Sequence, residues 1–344
     1  MKAAMRWGRT KFGSLTAATL AACLALTACG SSGDDATPLG AGESGAQVSV
    51  LLDWAPNPDH AALYAAQRTG AYTDAGVNVT FTTPSNTADA AREVSLGRVD
   101  LAVSYEPDTL IAIDSGLDVV SVAALIPTSL TSLITRADSG IESAADLGGT
   151  TIGLSGLASQ EPTIDFVARN ANVDPSSIQL PNVQQSLNQA LLTDQVDAIF
   201  GAFRNIEGVE LAEQGDFRIL PATDLGVPDY AELVIVANPQ RLQDDADYAE
   251  RVRGFLAGTA QGQQAAIADP QAAIDALTPE TEGSYDPEVL AKMVDATIEL
   301  LPTDGFGVQS GDKWATYASW MFDNGLLESV VDGADATTNE YLPA

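Results

Sequence analysis

A strand–helix alternation runs through residues 47–135, stops, and begins again at residue 151. In the first block, residues 47–53, 77–83, 99–104, 119–126 and 130–135 read as strands from their β-branched and apolar runs. Residues 60–69, 87–96 and 107–115 read as helices, closed by Gly70, Gly97 and Gly116, the residue that most readily takes the left-handed turn at a helix end. The second block follows Gly148-Gly149. Its strands are 151–154, 196–200, 218–221 and 232–237, and its helices are 162–170, 188–192 and 204–214. From residue 245 onward the pattern is helical, over 248–267, 270–277, 287–300 and 312–324. Alternation of this kind gives mainly parallel sheets with helices on their faces. The last strand is read as the return of the chain to the first block. The expected architecture is therefore α/β, a clamshell of two lobes joined by a two-strand hinge, with the C-terminal helices on the first lobe. Residues 47–136 and 231–344 would form lobe 1, and residues 137–230 lobe 2. About 300 residues suit two domains of ordinary size.

The start of the chain reads as an address. Lys2, Arg6, Arg9 and Lys11 precede an apolar stretch over 15–26, with no acid among them. That stretch is too short to span a hydrocarbon layer of about 30 Å. A basic front, a short apolar middle and a small-residue end make a secretory signal peptide, here over residues 1–28. It closes on Leu26-Thr27-Ala28-Cys29-Gly30, which resembles the bacterial lipobox, whose Cys is lipidated. Cys23 and Cys29 are the two cysteines, so processing would leave only a lipid-bearing Cys29 and no disulfide or Cys-based metal site. The expectation is a protein anchored outside the cytoplasm by lipid on Cys29. Residues 29–46, rich in Gly, Ser, Asp and Ala, would be a flexible tether.

Asp and Glu number 47 against 16 Lys and Arg, a formal charge of −31. Setting aside the four basic residues of the leader takes it from −31 to −35. Such a surface excludes nucleic acid as a partner, which needs a basic face. The acids are scattered along the chain and read as a solvated surface.

Open α/β sheets bind ligands beyond the carboxyl ends of their strands, which here are Asp53, Ser104, Ser155 and Gly201. The first strand runs into Asp53-Trp54-Ala55-Pro56-Asn57-Pro58-Asp59-His60. Trp54 offers a flat ring that can stack a planar ligand. Asp53 and Asn57 offer hydrogen-bonding groups. His60, the only His, falls in the first turn of a helix, where the positive end of the dipole favours the neutral ring. Tyr105 follows the third strand as a second aromatic wall. In the second block, Gly201 lets a ligand approach the backbone, and Asn205 and Glu207 follow it. A carboxyl group such as that of Glu207 can grip an aminopyrimidine by two directional hydrogen bonds.

These stretches are similar to a known family. Asp53-Trp54-Ala55-Pro56-Asn57 with His60 and Leu63-Tyr64 resembles the opening motif of the pyrimidine-precursor-binding proteins of bacterial thiamine salvage. The family includes the thiamine-pyrimidine synthases of fungi. The resemblance continues at Val99-Asp100-Leu101-Ala102-Val103-Ser104-Tyr105 and from Asp197-Ala198-Ile199 through Arg204-Asn205-Ile206-Glu207. Gly226-Val227-Pro228-Asp229-Tyr230 with Glu232-Leu233-Val234, and the tail Thr338-Asn339-Glu340-Tyr341-Leu342, extend it along the whole mature chain. It implies a type II periplasmic-binding fold and an importer role, delivering a formylated aminomethyl aminopyrimidine to a membrane permease and its ATPase. By the same resemblance Trp54 stacks the ring, and Asp53, Asn57, His60 and Glu207 line the pocket, with Tyr105 and Tyr230 beside them. Relatives bind other flat molecules, riboflavin included.

Three function classes compete. A binding module needs two lobes and convergent polar groups. An enzyme acting on a pyrimidine would use His60 and Glu207 as its acid–base pair. Yet the chain has no Ser–His–Asp arrangement and no phosphate-cradling loop, and one His cannot build a metal cluster. The fungal synthases carry clustered cysteines where residues 229–238 here hold none. A structural lipoprotein would not explain aromatic residues at strand ends. The expectation is a monomeric binding protein with no catalytic residues, metal or cofactor.

Overall fold

The computed structural model describes residues 45–281 and 283–344. The leader, Cys29 and the tether up to residue 44 lie outside the described residues. No helix among the described residues is long and apolar enough to cross a membrane.

The first block gives β1 (Ala46–Leu51), α1 (Ala61–Thr69), α2 (Ala71–Asp74), β2 (Val77–Thr82), α3 (Ala90–Ser95), β3 (Leu101–Ser104), α4 (Glu106–Asp114) and β4 (Val120–Ile126). The second gives β5 (Thr131–Arg136), β6 (Ile152–Leu154), α5 (Gln160–Asn170), α6 (Leu187–Leu192), β7 (Ala198–Phe203), α7 (Glu207–Ala212) and β8 (Phe217–Pro221). The chain ends with β9 (Leu233–Ala237), α8 (Pro239–Asp244), α9 (Ala246–Ala268), α10 (Pro270–Leu277), α11 (Pro287–Ile298), α12 (Gly311–Asp323) and the short α13 (Gly333–Ala336).

The strands form two sheets, ordered β2-β1-β3-β9-β4 and β6-β7-β5-β8. β1 runs parallel to β2 and β3, and β6 parallel to β7. β9 is antiparallel to both its neighbours, and so is β5. In each sheet the single reversed strand is the one whose chain has just crossed between sheets. The crossings are residues 127–130 and 222–232. The sequence places 130–135 with the first block, but β5 pairs with β7 and β8. The first crossing therefore falls before Thr131, ahead of the boundary expected at residue 136.

Side chains of the first sheet alternate between two cores. Val48, Val50, Leu101, Val103, Leu233 and Ile235 join the core under α1, α9, α10 and α11. Leu51, Ala102, Val234 and Val236 point to the opposite face. A sheet buried on both faces needs apolar residues at every position, and that is how these strands read. The second core does not stop at the first sheet. It continues through Leu133, Leu154, Ile164 and Val167 of the second lobe to Trp314, Tyr317 and Met321 of α12. Trp320 meets Phe166 of α5 edge to face at 4.9 Å, so α12 touches both lobes. Each fully buried aliphatic side chain of this kind stabilises by about 1.5–3 kcal/mol.

Candidate functional site

The carboxyl ends of β1, β3 and β6 and the end of β7 converge on one cleft. Asp53, Trp54, Asn57 and Tyr105 line it from the first lobe, and Ser155, Leu157, Leu187, Gly201, Phe203, Ile206 and Glu207 from the second. Its empty space is about 380 Å³, open solvent included.

Asp53 is the most constrained group in it. Its carboxylate is 2% exposed. His60 Nε2 lies 2.8 Å from Oδ1, and the Tyr105 hydroxyl donates to Oδ2 at 2.8 Å. The backbone N–H of Asn57 donates to His60 Nδ1 at 3.3 Å, so Nδ1 is an acceptor. The proton therefore sits on Nε2, which donates to Asp53, and the ring is neutral. Burial, then the nearby Asp53 charge, push the Tyr105 phenol well up, which keeps its proton in place to donate. Two donors from within the chain orient the carboxylate, and the residue lines the cleft.

Asn57 shapes the loop more than it offers free groups. Its Oδ1 accepts the Asp59 N–H at 2.9 Å, and its Nδ2 donates to Ala55 O at 3.1 Å. This caps the 3₁₀ turn Pro58–His60 that leads into α1, and so fixes Trp54 at the rim, where it is half-buried.

On the other lobe, Glu207 opens α7 and is half-buried. Its Oε2 accepts the Phe203 N–H at 2.7 Å. Burial pushes its carboxyl up to about 7, against the lowering effect of that hydrogen bond. Ser155 Oγ accepts from Gln160 Nε2 at 2.7 Å, while Gln160 Oε1 takes the Gly156 N–H at 3.0 Å. Gly201 has φ +91°, and a side chain there would run into Gln160.

Seven of the ten residues expected in the site meet in this cleft: Asp53, Trp54, Asn57, Tyr105, Ser155, Gly201 and Glu207. Three do not line it. His60, fully buried, stands behind Asp53 and acts through it. Asn205 points away, its Nδ2 donating to Asp59 Oδ1 at 2.6 Å and to Thr297 Oγ1 at 2.8 Å. Tyr230 stands at the hinge, its ring tilted against that of Tyr317 with centroids 5.0 Å apart, and it donates to Glu232 Oε1 at 3.3 Å. It lines a neighbouring cavity that shares Tyr105 and Leu157 with the cleft.

Sequence reasoning missed the apolar lining, Leu157, Leu187, Phe203 and Ile206, and also Glu232. Phe203 meets Tyr105 edge to face at 6.4 Å, extending the aromatic wall from the opposite lobe. Glu232 accepts the N–H groups of Leu130 and Thr131 at 2.6 and 2.7 Å. It thereby ties the two crossings together. Of these only Phe203 had a signal in the sequence, the alternation of its strand past Gly201.

A family model described as NMT1/THI5 like matches residues 57–273. The chain belongs to the NMT1/THI5-like family. A formylaminopyrimidine-binding protein of Halalkalibacterium halodurans is 30% identical over 295 residues, covering 84% of this chain and 88% of that one. A 4-amino-5-hydroxymethyl-2-methylpyrimidine phosphate synthase of Legionella pneumophila is 27% identical over 302 residues, covering 86% and 92%. The NMT1/THI5-like chain also superposes on the periplasmic aliphatic sulphonate binding protein of Escherichia coli. The TM-score is 0.64 at 15% identity, over 84% of this chain and 91% of that one. That likeness shows the fold, two α/β lobes of the periplasmic-binding kind, as the alternating blocks implied.

Proposed function

We propose that this chain is the ligand-binding component of an ABC importer, trapping a thiamine-related aminopyrimidine between its lobes. The observation that carries this is the pairing of two carboxyl groups across one aromatic cleft, Asp53 from the loop after β1 and Glu207 from α7. A flat ring against Trp54 would meet both. Asp53, held by two donors, accepts from an amine. Glu207, with its carboxyl raised to about 7, is protonated often enough near neutrality to donate to a ring nitrogen and accept from an exocyclic amine. The formylaminopyrimidine-binding relative supports this ligand class. Closure follows if the ligand binds the shut form better than the open one. The lobes would part at residues 127–130 and 222–232.

The rest of the reading is that of a monomer outside the cytoplasm, held to the membrane by lipid on Cys29 and delivering to a permease and its ATPase. It is a binding protein and not an enzyme. The position of His60 supports this: both ring nitrogens are engaged by Asn57 and Asp53, and the ring is fully buried. It has no face toward a substrate.

The test is a thermal-shift panel of aminopyrimidines, thiamine, riboflavin and alkyl sulfonates, followed by product analysis. A ligand at about a hundred times its Kd stabilises by roughly 2.7 kcal/mol. A shift with aminopyrimidines and no product is expected. A shift with riboflavin alone would replace the ligand, and product formation would overturn the binding role.

A further inference from the structure

A three-residue polar cluster lies buried where the two lobes and α11 meet. Asp59 belongs to the turn after β1, Asn205 to the loop after β7, and Thr297 to α11. Their side chains are 2%, 3% and 0% exposed. Asn205 Nδ2 donates to both Asp59 Oδ1 and Thr297 Oγ1, at 2.6 and 2.8 Å. The cluster sits two residues beyond Asn57 on one side and two before Glu207 on the other. It ties the two edges of the cleft to each other.

We propose that Asp59, Asn205 and Thr297 are positioning residues that form a proton-dependent latch, locking the lobes shut and setting Asn57 and Glu207 opposite each other across the ligand. The inference rests on reading the cleft as a ligand trap.

The hydrogen-bond count supports the proton. Asp59 Oδ2 and Asn205 Oδ1 are buried and have no partner among the described residues. An ionised Asp59 would have donors on Oδ1, from Asn205 and from the Thr297 hydroxyl at 3.5 Å, but would leave its other charged oxygen, Oδ2, buried without one, which is costly. A proton on Asp59 removes the charge and supplies a donor to the cluster. The groups facing Asp59 favour this. They are Asp53 on its own loop, Glu207 at the start of α7, Glu232 on the hinge, and the phenol of Tyr285 ahead of α11. All are acids. Burial first, then the charges of Asp53, Glu207 and Glu232, push the Asp59 carboxyl up to about 8, against the hydrogen bond from Asn205; the Tyr285 phenol stays neutral. Once the lobes part, water reaches Asp59 and its proton leaves at ordinary acidity. Closure therefore takes up a proton.

The experiment reads closure without ligand. Spin labels at Gln67→Cys and Gln179→Cys, one on each lobe, in the full chain with Cys23→Ser and Cys29→Ser, give the interlobe distance distribution. The closed-to-open ratio is expected to fall about tenfold between pH 7 and pH 9, from one proton with a carboxyl near 8 in the shut form. Asp59→Asn, which carries an amide in place of the protonated acid, should lose most of that dependence. Thr297→Val, which keeps the side-chain shape, should lower the closed ratio severalfold at both pH values. Asn205→Ala should do the same. A wild-type ratio that does not move with pH, or an unchanged distribution in Thr297→Val, would overturn the latch. Because no ligand is added, failure of the aminopyrimidine reading leaves these outcomes readable.

Discussion

A carboxyl that accepts a backbone N–H on one oxygen carries its proton on the other. Glu207 Oε2 takes the Phe203 N–H, so the acid form presents Oε1–H for a ligand. Such an acid can donate to a ring nitrogen through Oε1 and accept an amine at the second lone pair of Oε2. A complex of this form holds one proton more than the carboxylate and a neutral ligand do. In Asp59→Asn, where closure takes up no proton at residue 59, and with the free Glu207 carboxyl raised to about 7, affinity for a neutral aminopyrimidine should fall about tenfold from pH 6 to pH 8, by linkage. Glu207→Gln mimics the acid, its amide nitrogen replacing Oε1–H. Added to Asp59→Asn, it should bind within a few-fold of that parent at pH 6 and lose the decline to pH 8. Titration calorimetry at the two pH values checks this, and a decline that survives in Glu207→Gln would remove the acid from the contact. The placement of single residues at the cleft was legible where strand ends expose them, as for Asp53, Trp54 and Glu207. They were not legible for Asn205, whose partner Asp59 is 146 positions away. His60 falls between: its loop was visible, but its place behind Asp53 depends on which ring nitrogen the Asn57 N–H occupies.

At the level of elements, most strands and helices lie where apolar periodicity puts them. Two departures among the strands have one cause. β7 was expected to stop at Phe200, before a glycine, but it continues to Phe203. The pairing with β5 slips between Ser132 and Leu133, opposite the stretch that holds Gly201. A bulge keeps the strand paired while turning it, and a local pattern shows a glycine without showing the partner strand that makes it a bulge. In the same way 130–135 reads as a strand, and nothing local reveals that it pairs in the other sheet. Gly201 thus serves two ends. Its φ of +91° suits glycine, and its bare Cα makes room for Gln160, which holds Ser155 and the Gly156 N–H. Gly201→Ala should cost about 1–3 kcal/mol in unfolding free energy from backbone strain, and should weaken ligand binding by displacing Ser155. Denaturant unfolding and calorimetry together test it. Loss of stability with unchanged affinity would show that the 155–160 loop does not need this space.

For the whole molecule, the strong acidity and the buried carboxyls act in the same direction. Burial raises Asp59 and Glu106 to about 8, Glu207 and Glu232 to about 7, and Asp108 to about 6. Each sits at the cleft or hinge. Glu106 takes the Ala231 N–H at 2.7 Å on the return crossing, and Asp108 takes the Ser159 hydroxyl at 2.8 Å. In the unfolded chain these acids ionise near their ordinary values of 3.8 to 4.5. Between those values and the folded ones, the native state holds more protons than the unfolded state. Stability therefore falls as pH rises through this window. A carboxyl that folding makes tenfold weaker as an acid forfeits about 1.4 kcal/mol across it. Asp100, held low by the hydroxyl and N–H of Ser49 with Arg241 and Arg251 beside it, works oppositely. Its contribution is lost only below the ordinary Asp value. The two trends together place the maximum at roughly pH 4–5. Self-repulsion of a chain with a formal charge of −31 grows in the same alkaline direction. The melting temperature without ligand should fall by at least about 10 °C from pH 5.5 to pH 8.5, taking about 2–4 °C per kcal/mol. Asp59→Asn should recover part of that loss at pH 8.5, because its amide stays neutral where the acid does not. A melting temperature that is flat or rises across this range would mean that water reaches these carboxyls in the folded protein, and that the hinge holds them ionised.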